Sequence, residues 1–146
     1  MSVRSVGTPK TLEANGASIT TGNVAQANDA SYGVVADGSN YAHGEFALSC
    51  AYASAPTEHT TVDLYARPIN FDSTNDAETP ENTTGFKGNW YLGSFILNNV
   101  TTTQYAFLRA FDLPPEFEAY IHNNGGQTMS SGWTLKITPI AYKAST

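Results

Sequence analysis

Leu113-Pro114-Pro115-Glu116-Phe117-Glu118-Ala119-Tyr120-Ile121-His122-Asn123-Asn124-Gly125-Gly126 and, after a polar connection, Trp133-Thr134-Leu135-Lys136-Ile137-Thr138-Pro139-Ile140-Ala141-Tyr142 decide the fold class. Two prolines stop the preceding segment, and residues 117–123 then alternate. Phe117, Ala119 and Ile121 fall on one side of a period-two ribbon, and Trp133, Leu135 and Ile137 repeat the arrangement on the second segment. The Asn-Gly-Gly turn signal between them predicts a β-hairpin. Its connection holds Gly, Gln, Thr and Ser with Met129 as the single large apolar residue, which reads as a displayed loop.

The same alternation recurs upstream. Residues 45–53 put Phe46, Leu48, Cys50 and Tyr52 on one face, and residues 60–67 do so with Val62, Leu64 and Ala66 before Pro68 ends the strand. Residues 90–100 are apolar on both faces near their middle, as expected of a strand covered on two sides. Residues 104–111 alternate Tyr105, Phe107, Arg109 and Phe111 against Ala106, Leu108 and Ala110. No stretch keeps the three-and-four spacing of a helix, so βαβ units are excluded. Seven or eight strands with turn signals between them predict an all-β fold, an antiparallel two-sheet sandwich. The long connection at residues 70–88 favours jelly-roll topology, and an immunoglobulin-like sandwich lacks its Cys, Trp and Cys spacing. Residues 31–146 are assigned to the sandwich and residues 1–30 to an extended N-terminal arm or edge strands. Within the latter, Asn15-Gly16 suggests a short hairpin or a bent edge strand.

Composition narrows the function. The chain has 146 residues, enough for one domain with a substantial core. Only 14% are charged, against a typical ~25%. A net charge of −6 with seven scattered Lys and Arg argues against a nucleic-acid partner. The single Cys50 falls in phase with the core set and is expected to be a buried, inert thiol. No apolar leader and no membrane-length apolar run is found, so neither export nor membrane insertion is expected, and the sequon matches at Asn82 and Asn99 are taken as chance.

Chemistry is sparse. His43, His59 and His122 are far apart, no close metal-binding pair occurs, and no nucleophile elbow exists, so no catalytic residue, cofactor or metal site is assigned and an enzyme is not expected. Asp72, Asp76, Glu78 and Glu81 lack regular calcium-ligand spacing and read as a solvated acidic loop. Trp90 and Trp133 are expected in the core rather than as sugar-stacking platforms.

The segments Thr11-Leu12-Glu13-Ala14-Asn15-Gly16-Ala17-Ser18-Ile19, Tyr41-Ala42-His43-Gly44-Glu45-Phe46, Val62-Asp63-Leu64-Tyr65-Ala66-Arg67-Pro68, Leu113-Pro114-Pro115-Glu116-Phe117 and Ser130-Ser131-Gly132-Trp133-Thr134-Leu135-Lys136 resemble small structural proteins of tailed bacteriophages. The resemblance spans nearly the whole chain and implies a virion component. It points first to a jelly-roll decoration or cement protein on the outside of an icosahedral head, made in the host cytoplasm, with the major capsid protein as partner and a trimer as the expected homo-oligomer. A tail or baseplate component and a carbohydrate-binding β-sandwich module are the alternatives. For an assembly protein, the small-residue N-terminal segment would lie across a neighbour and add to an exposed sheet edge. Leu12 and Ile19 there, and Asn124, Gly125 and Met129 in the 123–132 connection, are the expected contact residues. Shortening that connection is expected to impair assembly more than folding.

Overall fold

The inward-facing sets build two antiparallel sheets packed face to face in a computed structural model that describes residues 2–72, 76–82 and 89–144. Nine strands run in chain order: β1 (Ser2–Val6), β2 (Lys10–Gly16), β3 (Val24–Gly33), β4 (His43–Cys50), β5 (Thr61–Pro68), β6 (Trp90–Ile96), β7 (Gln104–Ala110), β8 (Glu116–Asn124) and β9 (Trp133–Ala144). No helix occurs among the described residues. The first sheet runs β1-β9-β4-β7, with β2 pairing the other half of β9; the second runs β3-β8-β5-β6. Apart from the β1 to β2 and β5 to β6 steps, every step along the chain moves from one sheet to the other. The 70–88 connection is not the expected crossover between sheets: it joins β5 to β6, which are neighbours in the second sheet, and part of it lies outside the described residues.

Between the sheets sit Phe46, Leu48 and Cys50 of β4, Val62, Leu64 and Ala66 of β5, Phe117, Ala119 and Ile121 of β8, and Trp133, Leu135 and Ile137 of β9, all buried. These are the faces the alternation selects. Burying a side chain of this size contributes roughly 1.5–3 kcal/mol, so the four central strands dominate the stability.

Three further expectations are corrected. The β8 and β9 strands do not form a hairpin: β8 pairs β3 and β5, β9 pairs β1, β2 and β4, and the two face each other across the core. A period-two pattern fixes which side chains point inward but not which strand supplies the hydrogen bonds. The second correction concerns the N-terminal segment, which is not an extended arm; of the two readings the edge strands hold, woven into both sheets. β1 and β2 line up along β9, β3 pairs β8, and Leu12, Ile19 and Ala27 are buried. At Asn15-Gly16 the chain makes no hairpin but ends an irregular edge strand, the other of the two readings. Gly16 lies opposite Trp133, so close that a Cβ there would sit 1.9 Å from the indole ring. Irregular pairing in β2 buries consecutive Leu12 and Glu13. The Glu13 carboxylate is satisfied by the amides of Asn15 (3.1 Å) and Asn28 (3.0 Å), tying the first sheet to β3 of the second.

The third correction is β6, an edge strand rather than one covered on both sides. Phe95 points inward, while Trp90, Tyr91 and Ile96 are exposed.

Candidate interaction surface

Strand β7 is the other edge of interest. Its sequence offers two alternating sets, and the smaller one, Ala106, Leu108 and Ala110, faces the core. Tyr105 and Phe107 therefore point away from the sandwich, 70% and 63% exposed. Strand register extends this outer face across the sheet. Ser49 and Ala47 of β4 lie opposite Tyr105 and Phe107, and on the far side they meet Thr134 and Lys136 of β9. The small β4 side chains leave a shallow groove of about 330 Å³ between Tyr105 and Lys136.

An aromatic cluster closes one end of this face. The His43 ring lies 5.2 Å from that of Phe111 and 5.9 Å from that of Tyr142, and Phe111 and Tyr142 stack at 6.2 Å, all distances between ring centroids. The Asp112 amide donates to His43 Nδ1 (3.0 Å), which fixes the imidazole beside the two rings. Arg109 lies next to this cluster. Its Nε donates to Glu45 Oε2 (3.2 Å), and its Nη1 reaches the Tyr142 hydroxyl at 3.5 Å. The Glu45 hydrogen bond raises the already high pKa of the guanidinium.

The residues expected to make contacts are placed differently. Ile19, Gly125 and Met129 come together at one end of the sandwich, but inside it. Ile19 and Met129 exchange two backbone hydrogen bonds (3.0 and 2.9 Å), and Gly125 packs beneath Leu97 and the Tyr52 hydroxyl. Leu12 is buried elsewhere in the core. Leu12, Ile19, Gly125 and Met129 are thus covered by their own chain, because a connection that joins opposite sheets must close the end of the core. Asn124 alone of the five is partly accessible, and its Nδ2 donates to Asp63 Oδ2 (2.7 Å) on the outside of the second sheet.

The centre of this closure is Asn123, which is fully buried. Its Oδ1 accepts from the Tyr52 hydroxyl (2.9 Å) and the Gly125 amide (3.0 Å), while Nδ2 donates to the carbonyls of Ile19 and Gln127 (both 2.8 Å). Every hydrogen-bonding position of the carboxamide is used. Nearby, burial pushes the Cys50 thiol up to about 12, which keeps it protonated and unreactive at neutral pH.

Trp133 is core, its indole N–H donating to the Ala17 carbonyl (2.8 Å), whereas Trp90 is 47% exposed and departs from the core expectation. A second cleft of about 800 Å³ lies beside β5 and β8, lined by Arg67, Phe71, Asp72, Asp76, Glu116 and Glu118 among others. Arg67 bonds Glu118 across it (3.0 Å). Among the described residues no group of three His, Cys, Asp or Glu is placed to hold a metal ion, and no helix is long and apolar enough to cross a membrane.

No family model matches the chain, and the search of curated proteins returns no match. The geometry of the surface therefore has to carry the functional reading.

The aromatic row was visible in the sequence as one of two alternating sets. Its exposure was not, because an edge strand rich in Tyr and Phe reads like a buried one until its neighbours are known.

Proposed function

We propose that this chain is a structural protein of a tailed-bacteriophage particle, a decoration or cement protein that binds the outside of the icosahedral head. The observation that carries this reading is the row of solvent-facing aromatic side chains on the first sheet. Contiguous exposed apolar surface marks a contact site, and Tyr, Phe and Arg are the residue types enriched where proteins meet. Ladder hydrogen bonds hold the row on a sheet, so little order has to be gained on binding. We read the strand order as a jelly roll, since β1 and β2 together with β9, β4 and β7 face β3, β8, β5 and β6. The major capsid protein is the partner in this reading and a trimer the expected form. Many copies on a symmetric shell turn modest contacts into firm attachment.

Heads assembled without this chain provide the test. Purified chain added back should bind them in saturable, stoichiometric amounts and raise the temperature at which they release their contents. Saturable binding to isolated tails but not heads would favour the tail or baseplate alternative, and binding to neither would sink the proposal.

A further inference from the structure

The charge on the aromatic face is the opposite of the charge on the molecule. The chain carries −6 overall, yet the outer face of the first sheet presents Arg4 on β1, Lys136 on β9 and Arg109 on β7, with Glu45 of β4 among them and Asp112 just past β7 at the His43 end. Arg4 lies opposite Tyr142 and Lys136 opposite Ala47, so these cations share the face with the aromatic side chains. From β1 to β7 the sheet is three strand spacings wide, roughly 14 Å. Arg109 is already engaged by Glu45, whereas Lys136 stands exposed at the groove.

We propose that this face docks onto an acidic patch of another protein, with Tyr105 and Phe107 forming the apolar centre and Lys136 and Arg4 pairing with carboxylates at the rim. The inference rests on the assembly reading above and adds to it the face used and the charge of the surface met. Complementary potential favours encounter and register, and rim pairs respond to salt. A second copy in a symmetric face-to-face contact would set two faces of the same sign of charge against each other, which like-charge repulsion disfavours. A nucleic-acid backbone calls for a closely spaced run of cations along its phosphates, and this face has three spread over four strands with a carboxylate among them.

Binding of the purified full chain to heads that lack it is measured by co-sedimentation for wild type, the double variant Tyr105→Ser/Phe107→Ser, and Lys136→Glu. Both variants should keep the wild-type unfolding midpoint to within a few degrees, since the side chains are exposed. The expected result is at least tenfold weaker binding for the double variant, about fivefold weaker binding for Lys136→Glu, and loss of that second difference in 0.5 M salt. Wild type that fails to bind heads overturns the assembly reading itself. Wild type that binds while both variants bind equally well overturns only the choice of face. Two further outcomes also overturn it: a wild-type oligomer that falls apart in the double variant makes the face a self-contact, and tighter retention on single-stranded DNA than on heads makes the partner a nucleic acid.

Discussion

Asn123 shows how much one polar side chain can organise in an otherwise apolar interior. Its four hydrogen bonds tie together the chain around Ile19, the β4 extension at Tyr52 and the start of the 125–132 connection, three segments far apart in sequence. Replacing it with Leu keeps comparable volume but leaves the Tyr52 hydroxyl, the Gly125 amide and the Gln127 carbonyl without their partner, while the Ile19 carbonyl keeps only its bond from the Met129 amide. Each buried orphan costs about 1–3 kcal/mol. Partial relaxation brings the expected loss for Asn123→Leu to about 3–5 kcal/mol, read as a lower urea midpoint at unchanged slope. A loss under 1 kcal/mol would mean that water or a backbone shift satisfies these groups and that Asn123 is not the tie. Nothing in Asn123-Asn124-Gly125-Gly126 distinguishes this role from an ordinary turn. Turn propensity and a buried carboxamide share the same residue types, and only the long-range partners separate them.

At the scale of strands, alternation selected the inward face correctly in β4, β5, β8 and β9, because a half-buried ribbon must put its apolar side chains on one side. It could not select partners. The 123–132 connection reads in the sequence as a displayed hairpin loop, yet the chain leaving β8 joins β9 across sheets that pack ~10 Å apart, and on the way it inserts Met129 into the core, bridged to both Ile19 and Tyr52. This reverses the expectation that shortening it would affect assembly before folding. Replacing residues 125–132 by a two-residue Asn-Gly turn should abolish cooperative unfolding and collapse the dispersion of amide resonances, since the strands could pair only by leaving their present sheets. A shortened chain that keeps wild-type amide dispersion would refute the cross-sheet connection. Gly16 belongs to the same corner. Its position under Trp133 was legible as a turn glycine but not as a packing glycine, because the close approach comes from β9, more than a hundred residues away.

For the whole molecule, the division between what the sequence revealed and what it hid follows the range of the interactions. Fold class follows from period-two patterning and the lack of helical spacing, both local. The division of strands between sheets, the outward turn of the Tyr105 and Phe107 row and the fate of the N-terminal segment depend on contacts across the chain. Residues 1–30 carry small and polar side chains and no Phe, Trp or Tyr, so they read as an arm or as edge strands, with nothing local to separate the two. In the structure they supply β1, β2 and most of β3, they occupy one edge of each sheet, and they place Leu12, Ile19 and Ala27 in the core. Burial of Leu12 and Ile19 alone is worth roughly 3–6 kcal/mol, a large part of the ~5–15 kcal/mol by which a domain is stable. The ladder bonds of β8 to β3 and of β9 to β1 and β2 would be lost as well, uncovering long edges on the two strands with the densest apolar faces. A chain beginning at Ser31 should therefore fail to fold cooperatively and aggregate, as followed by thermal unfolding and size-exclusion chromatography. Had the segment been an arm laid on a neighbour, the truncated chain would remain monomeric with a midpoint near that of the full chain and would lose only its binding to heads; that outcome would restore the arm.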